Sequence, residues 1–118
     1  MWNEPTQNQL SKLPRLYETE EIPLQEKMIH MHFFLGSCEW YIAEYDKEED
    51  LFWGYAILNA DLENGEWGYI SYEELKELKA RAVVNGIPGN ELRGFFEVDR
   101  DVHWKPIKAG EIPKIRIH

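Results

Sequence analysis

A chain of 118 residues, 43% hydrophobic and 14% aromatic, has the size of one domain and the material for a single core. Its net charge of −9 would repel a nucleic-acid backbone, so no direct DNA or RNA binding is expected, and basic proteins or metal cations are the favoured partners. No run approaches the roughly 18 apolar residues of a membrane helix, Met1 to Pro5 carries no secretory signal, and Cys38 is a lone thiol. The expectation is a cytoplasmic protein with no membrane contact and residues 1–118 as a single domain.

Pro5 to Lys12, with Thr6 as N-cap, reads as a short helix that stops before Pro14. Tyr17 to Pro23 carries charge without period between two prolines and reads as an extended, solvent-facing connection. From Met28 to Leu35, Ile29, Met31, Phe33 and Leu35 alternate with Met28, His30, His32 and Phe34, which predicts a strand. Gly36 to Glu39 supplies a turn, and Trp40 to Tyr45 a second strand. Leu51 to Leu58 is almost wholly apolar and belongs in mid-sheet or under cover on both faces, with Gly54 marking a bulge or a close backbone approach. After Asn64-Gly65, the strongest turn signal, Glu66 to Ile70 completes a four-strand meander.

Ser71-Tyr72-Glu73-Glu74 fits a capping box that opens a helix from Tyr72 to about Arg81. Tyr72, Leu75, Leu78 and Ala82 would lie on the sheet, and Glu77 would pair with Arg81 on the exposed side. Asn85 to Asn90 is a loop, and Phe95 to Trp104 alternates as a fifth strand with Phe96, Val98, Val102 and Trp104 on one face. The tail offers at most an edge strand at Ile115 to Ile117. The predicted class is α+β: a small antiparallel meander of about four to five strands, a capped helix packed on one face, and a short N-terminal helix.

Five segments stand in order along the chain: Leu13-Pro14-Arg15-Leu16-Tyr17-Glu18-Thr19-Glu20, Trp40-Tyr41-Ile42-Ala43-Glu44-Tyr45-Asp46, Phe52-Trp53-Gly54-Tyr55, Glu66-Trp67-Gly68-Tyr69-Ile70-Ser71 with Glu74-Leu75, and Glu97-Val98-Asp99-Arg100-Asp101. Together they resemble a family of small proteins of unknown function encoded on conjugative plasmids, phages and other mobile elements. The resemblance implies a mobile-element setting and brings no activity, cofactor or catalytic residue with it.

Two constellations carry chemistry. Glu97, Asp99, Asp101 and His103 alternate, so on a strand they would share one face with neighbours about 6.6 Å apart. That pattern serves a divalent cation or general acid–base work, and equally a plain solvated face. His30 and His32 share a face by the same logic, and with His103 or Glu44 they would offer three ligands to Zn²⁺. A mixed, partly covered face accounts for them as well.

The aromatic load is the most unusual feature. Trp53 and Tyr55 on the third strand and Trp67 and Tyr69 on the fourth predict a cross-strand ladder. It serves either as core beneath the helix or, where exposed, as a protein-binding patch rimmed by Glu44, Asp46 and Glu66. The expected function is therefore non-catalytic: a cofactor-free acidic module of a mobile element that binds a basic host or element-encoded protein, one form being an inhibitor of a nucleic-acid-directed host defence. The alternative is a small metal-dependent hydrolase holding a divalent metal with Asp99, Asp101 and His103 and with His30 or His32.

Overall fold

The computed structural model describes residues 1–83 and 91–116, with the side chains of all of these except 79–83 and 91–95. The fold is α+β, built on an antiparallel sheet of five strands in the order β5-β4-β3-β2-β8. These are β2 (Met31–Leu35), β3 (Cys38–Asp46), β4 (Leu51–Ile57), β5 (Glu66–Ser71) and β8 (Asp99–Arg100). The meander β2 to β5 follows the sequence order, and β8 closes the edge beyond β2. Two further pairs lie outside it: β1 (Met28–Ile29) with β9 (Ile107–Lys108), and β6 (Lys79–Val83) with β7 (Glu91–Glu97). Among the described residues no helix is long and apolar enough to cross a membrane.

Helix α1 (Gln7–Ser11) is closed at its start by a capping box: the Thr6 hydroxyl accepts from the Gln9 amide and the Gln9 side chain accepts from the Thr6 amide. Helix α2 (Tyr72–Glu77) is capped by Ser71, whose hydroxyl accepts from the Glu74 amide at 3.1 Å. Only this half of the expected box forms. α2 also stops a full turn short of Arg81, because Leu78 turns extended and the chain from Lys79 pairs with β7. Ladder bonds to a distant strand override a helical spacing of apolar residues here. Ala82 and Arg81 therefore lie on a strand, and the expected helical pair of Glu77 with Arg81 has no helix to form on.

Both faces of the sheet are covered. On one, Phe33, Trp40, Ile42 and Phe52 meet Leu10 and Leu13 around α1 and Tyr72 and Leu75 of α2. On the other, Tyr41, Tyr55 and Ile57 meet Ile29 and the C-terminal residues Ala109, Ile112 and Ile115. Burying a Phe or Ile in this way contributes roughly 1.5–3 kcal/mol each. The tail thus packs on a sheet face; its edge pairing is at Ile107–Lys108 rather than at 115–117, and Ile117 lies outside the described residues.

Three further expectations are corrected, and one falls outside the described residues. The strand expected over Met28–Leu35 breaks at His30: Ile29 joins the second core and Met31 the first, so the alternation reverses there and His30 and His32 do not sit on one regular strand face. The strand expected over Phe95–Trp104 ends as β7 at Glu97, resumes only for Asp99–Arg100, and gives way to a turn. Glu97, Asp99, Asp101 and His103 consequently share no strand face. Tyr17–Pro23 is not extended but winds through successive turns, with the Glu20 amide bonded to the Tyr17 carbonyl and the Ile22 amide to the Thr19 carbonyl. The loop expected over 85–90 lies outside the described residues.

Gly54 marks both of the features expected for it. A Cβ there would overlap the carbonyl oxygen of Tyr41, so the two backbones meet closely. Opposite it the register shifts between Ile42 and Glu44, where Ala43 is the extra residue of a bulge.

Candidate functional site

The bulge determines the site. Strict alternation would place Glu44 on the side of Ile42; the extra residue turns it to the other side, directly across from Trp53. Glu44 and Lys27 are the two buried charged side chains among the described residues, each 4% exposed. Buried charge is tolerated only where hydrogen bonds replace water. Glu44 Oε1 accepts from the Tyr17 amide at 2.9 Å, and Oε2 accepts from the Thr19 amide at 3.1 Å and from the Thr19 hydroxyl. Lys27 Nζ donates to the Thr19 carbonyl and, at 3.2 Å, to the Thr19 hydroxyl. One hydroxyl therefore links anion to cation. The Lys27 ammonium also lies 5.2 Å from the centre of the Trp53 ring, within cation–π range.

This carboxylate shapes the turn above it. Tyr17 is held at φ +69, a left-handed backbone that a bulky residue rarely adopts, and its ring is 61% exposed. Its hydroxyl is hydrogen-bonded at 2.6 Å to that of Tyr69 on β5, itself 56% exposed. That bond raises the Tyr69 phenol above its ordinary value. Behind them the ladder forms: Trp53 stacks on Trp67 at 5.1 Å, and Tyr55 meets Trp67 edge-on at 5.4 Å. Tyr17, Glu20, Leu24, Lys27, Glu44, Trp53 and Tyr69 enclose a cleft of about 280 Å³. Such a slot, with phenolic rings at its mouth and a carboxylate rim, recognises a group by stacking and charge.

Of the residues expected to bind, Glu44, Trp53 and Tyr69 meet at the cleft, and Trp67 backs Trp53. Tyr55 is 1% exposed and belongs to the core. Asp46 lines a different hollow of about 930 Å³ between α1 and the end of β3, whose charged side chains are not buried. Glu66 is exposed at the start of β5. Sequence reasoning missed Tyr17, Thr19, Glu20 and Lys27; a carboxylate in the otherwise apolar run Trp40–Tyr45 was the signal that something must satisfy it.

The expected metal donors are dispersed. His32 stacks on Tyr41 at 4.6 Å, its Nε2 lies 3.1 Å from Glu39 Oε1, and its Nδ1 lies 3.8 Å from Asp101 Oδ2. Burial lowers its pKa against the opposing pull of Glu39 and Asp101. Glu39 is itself tied to the Tyr41 hydroxyl and to Lys114. His30 lines a separate cleft with Arg100, Asp101 and Trp104, and burial lowers its pKa too. Asp99 accepts from the Asn3 side chain and the Arg100 amide, and His103 is exposed. Among the described residues, no three His, Cys, Asp or Glu side chains are grouped to hold a metal ion.

Four of the five segments set out from the sequence meet at the Tyr17–Tyr69 cleft, through Tyr17, Thr19 and Glu20, Glu44, Trp53, and Tyr69. No family model matches the chain, and no curated protein or solved structure is detectably similar to it.

Proposed function

We propose that this chain is a non-catalytic binding module that engages a basic partner protein at the Tyr17–Tyr69 cleft. The observation that carries the reading is the pair of exposed tyrosines, one in a left-handed backbone, held over the cleft by the buried Glu44. Rings fixed before binding lose little entropy on contact, and tyrosine is enriched among the residues that dominate interface energies. Charge sets the partner's sign: Glu20 and Glu44 outnumber Lys27 in the cleft, and the whole chain carries −9. An arginine of the partner would stack on the tyrosines and meet Glu20. In the mobile-element setting that the resemblance implies, the partner is a host or element-encoded protein, and one that handles nucleic acid bears the required basic surface.

The test is parallel capture from host extract on immobilised wild type and on a Tyr17→Ala/Tyr69→Ala variant whose melting temperature has been matched to wild type. A basic protein retained by wild type and lost from the variant is expected. Equal retention by both, or none on wild type, overturns the proposal. The metal-dependent alternative rests on His32 and Asp101 alone; stoichiometric metal in the purified protein, lost in His32→Ala, would restore it.

A further inference from the structure

The edge of β5 is open. β5 ends the five-stranded sheet, and among the described residues no backbone group pairs with its outer side. Which groups face outward follows from the ladder. The His32 carbonyl accepts from the Asp101 amide, away from β3, so Met31 and Ile42 face each other and Tyr41 faces β4. Across the register, Tyr55 then faces β3, Gly54 faces Gly68, and Trp67 and Tyr69 turn their amides and carbonyls to solvent. Among the described residues, two donors and two acceptors thus stand unpaired along one short strand. Two of the devices that blunt such an edge are missing, for β5 has neither proline nor lysine, and beside Gly68 a Cβ would meet nothing within 4 Å.

The surroundings select the occupant. Between Glu48 and Leu75 the chain holds eight acidic residues and no lysine, arginine or histidine. Those nearest the edge, Glu63 and Glu66 before it and Glu73 and Glu74 after it, are all exposed. A second copy would bring the same charges face to face; a basic strand would neutralise them.

We propose that the outer edge of β5 takes up an extended basic segment of a partner protein as a sixth strand. Main-chain bonds run to Trp67 and Tyr69, and alternate basic side chains lie over the Tyr69 face toward Tyr17 and Glu20. This rests on the reading of the chain as a binder of basic partners.

The probe is a synthetic peptide of alternating arginine and valine, observed by amide hydrogen exchange at single residues. At peptide tenfold above its Kd, exchange of the Trp67 and Tyr69 amides is expected to slow by about tenfold while Gly68, already bonded inward, does not change. The same peptide N-methylated at alternate positions is expected not to bind. Binding with Trp67 and Tyr69 still exchanging freely, or equal binding of the methylated peptide, overturns strand addition and leaves the basic-partner reading standing. No binding at millimolar peptide overturns both. Protection of the two amides that rises with protein concentration alone assigns the edge to a second copy and overturns the proposal.

Discussion

Asn59 and Ala60 turn the chain after β4 with two successive left-handed backbones, at φ +53 and +58. Asparagine tolerates this region; alanine, with its Cβ crowding the carbonyl oxygen, is set back by about 1–2 kcal/mol. Ala60 is exposed, and its amide bonds to the Ser37 carbonyl at 2.8 Å, so the conformation is fixed by the turn and not by packing of the methyl group. Ala60→Gly is therefore expected to stabilise the protein by about 0.5–1 kcal/mol, after allowing for the greater freedom of glycine in the unfolded chain. The urea midpoint should rise with an unchanged slope; a lower midpoint would contradict the left-handed assignment.

α2 has six residues, too few to stand without tertiary support, and depends on its Ser71 cap and on the burial of Tyr72 and Leu75. Ser71→Ala should cost about 1 kcal/mol in chemical denaturation, and a change within error would mean that packing alone holds the helix. The elements legible in the sequence are those whose signals are local: the Thr6 and Ser71 caps and the alternation that orders β2 to β5. The Asn64-Gly65 pair makes no tight hairpin turn, for Asn64 closes a 3-10 helix begun at Leu62 and Gly65 is extended at φ −62; the left-handed pair between β4 and β5 is Asn59 and Ala60. The elements that escaped depend on distant partners. Nothing between Tyr72 and Ala82 announces that Lys79 will find Glu97 across a two-strand ladder. Gly54 signals a bulge but not which residue of the facing strand is the extra one, so the side on which Glu44 lies could not be read from its neighbours. Thr19 and Lys27 became site residues only because that carboxylate arrived beneath them.

For the whole molecule, protons and stability are linked through two half-buried histidines and Glu39. Burial lowers the pKa of both His30 and His32 from 6.5. Just below that value the unfolded chain binds more protons than the native one, so the stability due to neutral histidines is full above about pH 6.5 and declines as pH falls. Burial alone would raise Glu39, but its bonds to Lys114 and Tyr41 outweigh burial and hold it below 4.5, which adds a further loss of the same sign in stronger acid. The melting temperature is expected to fall from about pH 7 to about pH 5 and more steeply beyond. His32→Gln should flatten the upper part of that curve, and a melting temperature that rises on acidification would refute the account. His32, Glu39 and Lys114 also join β2 and β3 to the C-terminal segment.

The bulge at Ala43 makes the site hostage to arithmetic. Smoothing the bulge, so that Ala43 pairs across from Trp53 as an ordinary ladder residue, would carry Glu44 through the sheet to the layer of Ile42, leave the amides of Tyr17 and Thr19 without their acceptor, and strand the Lys27 cation. Loss of the Ala43 codon would do the opposite, for Glu44 would then follow Ile42 directly and plain alternation would keep it over Trp53. A recognition surface built in this way survives deletion of its extra residue and fails when that residue is ironed into the ladder.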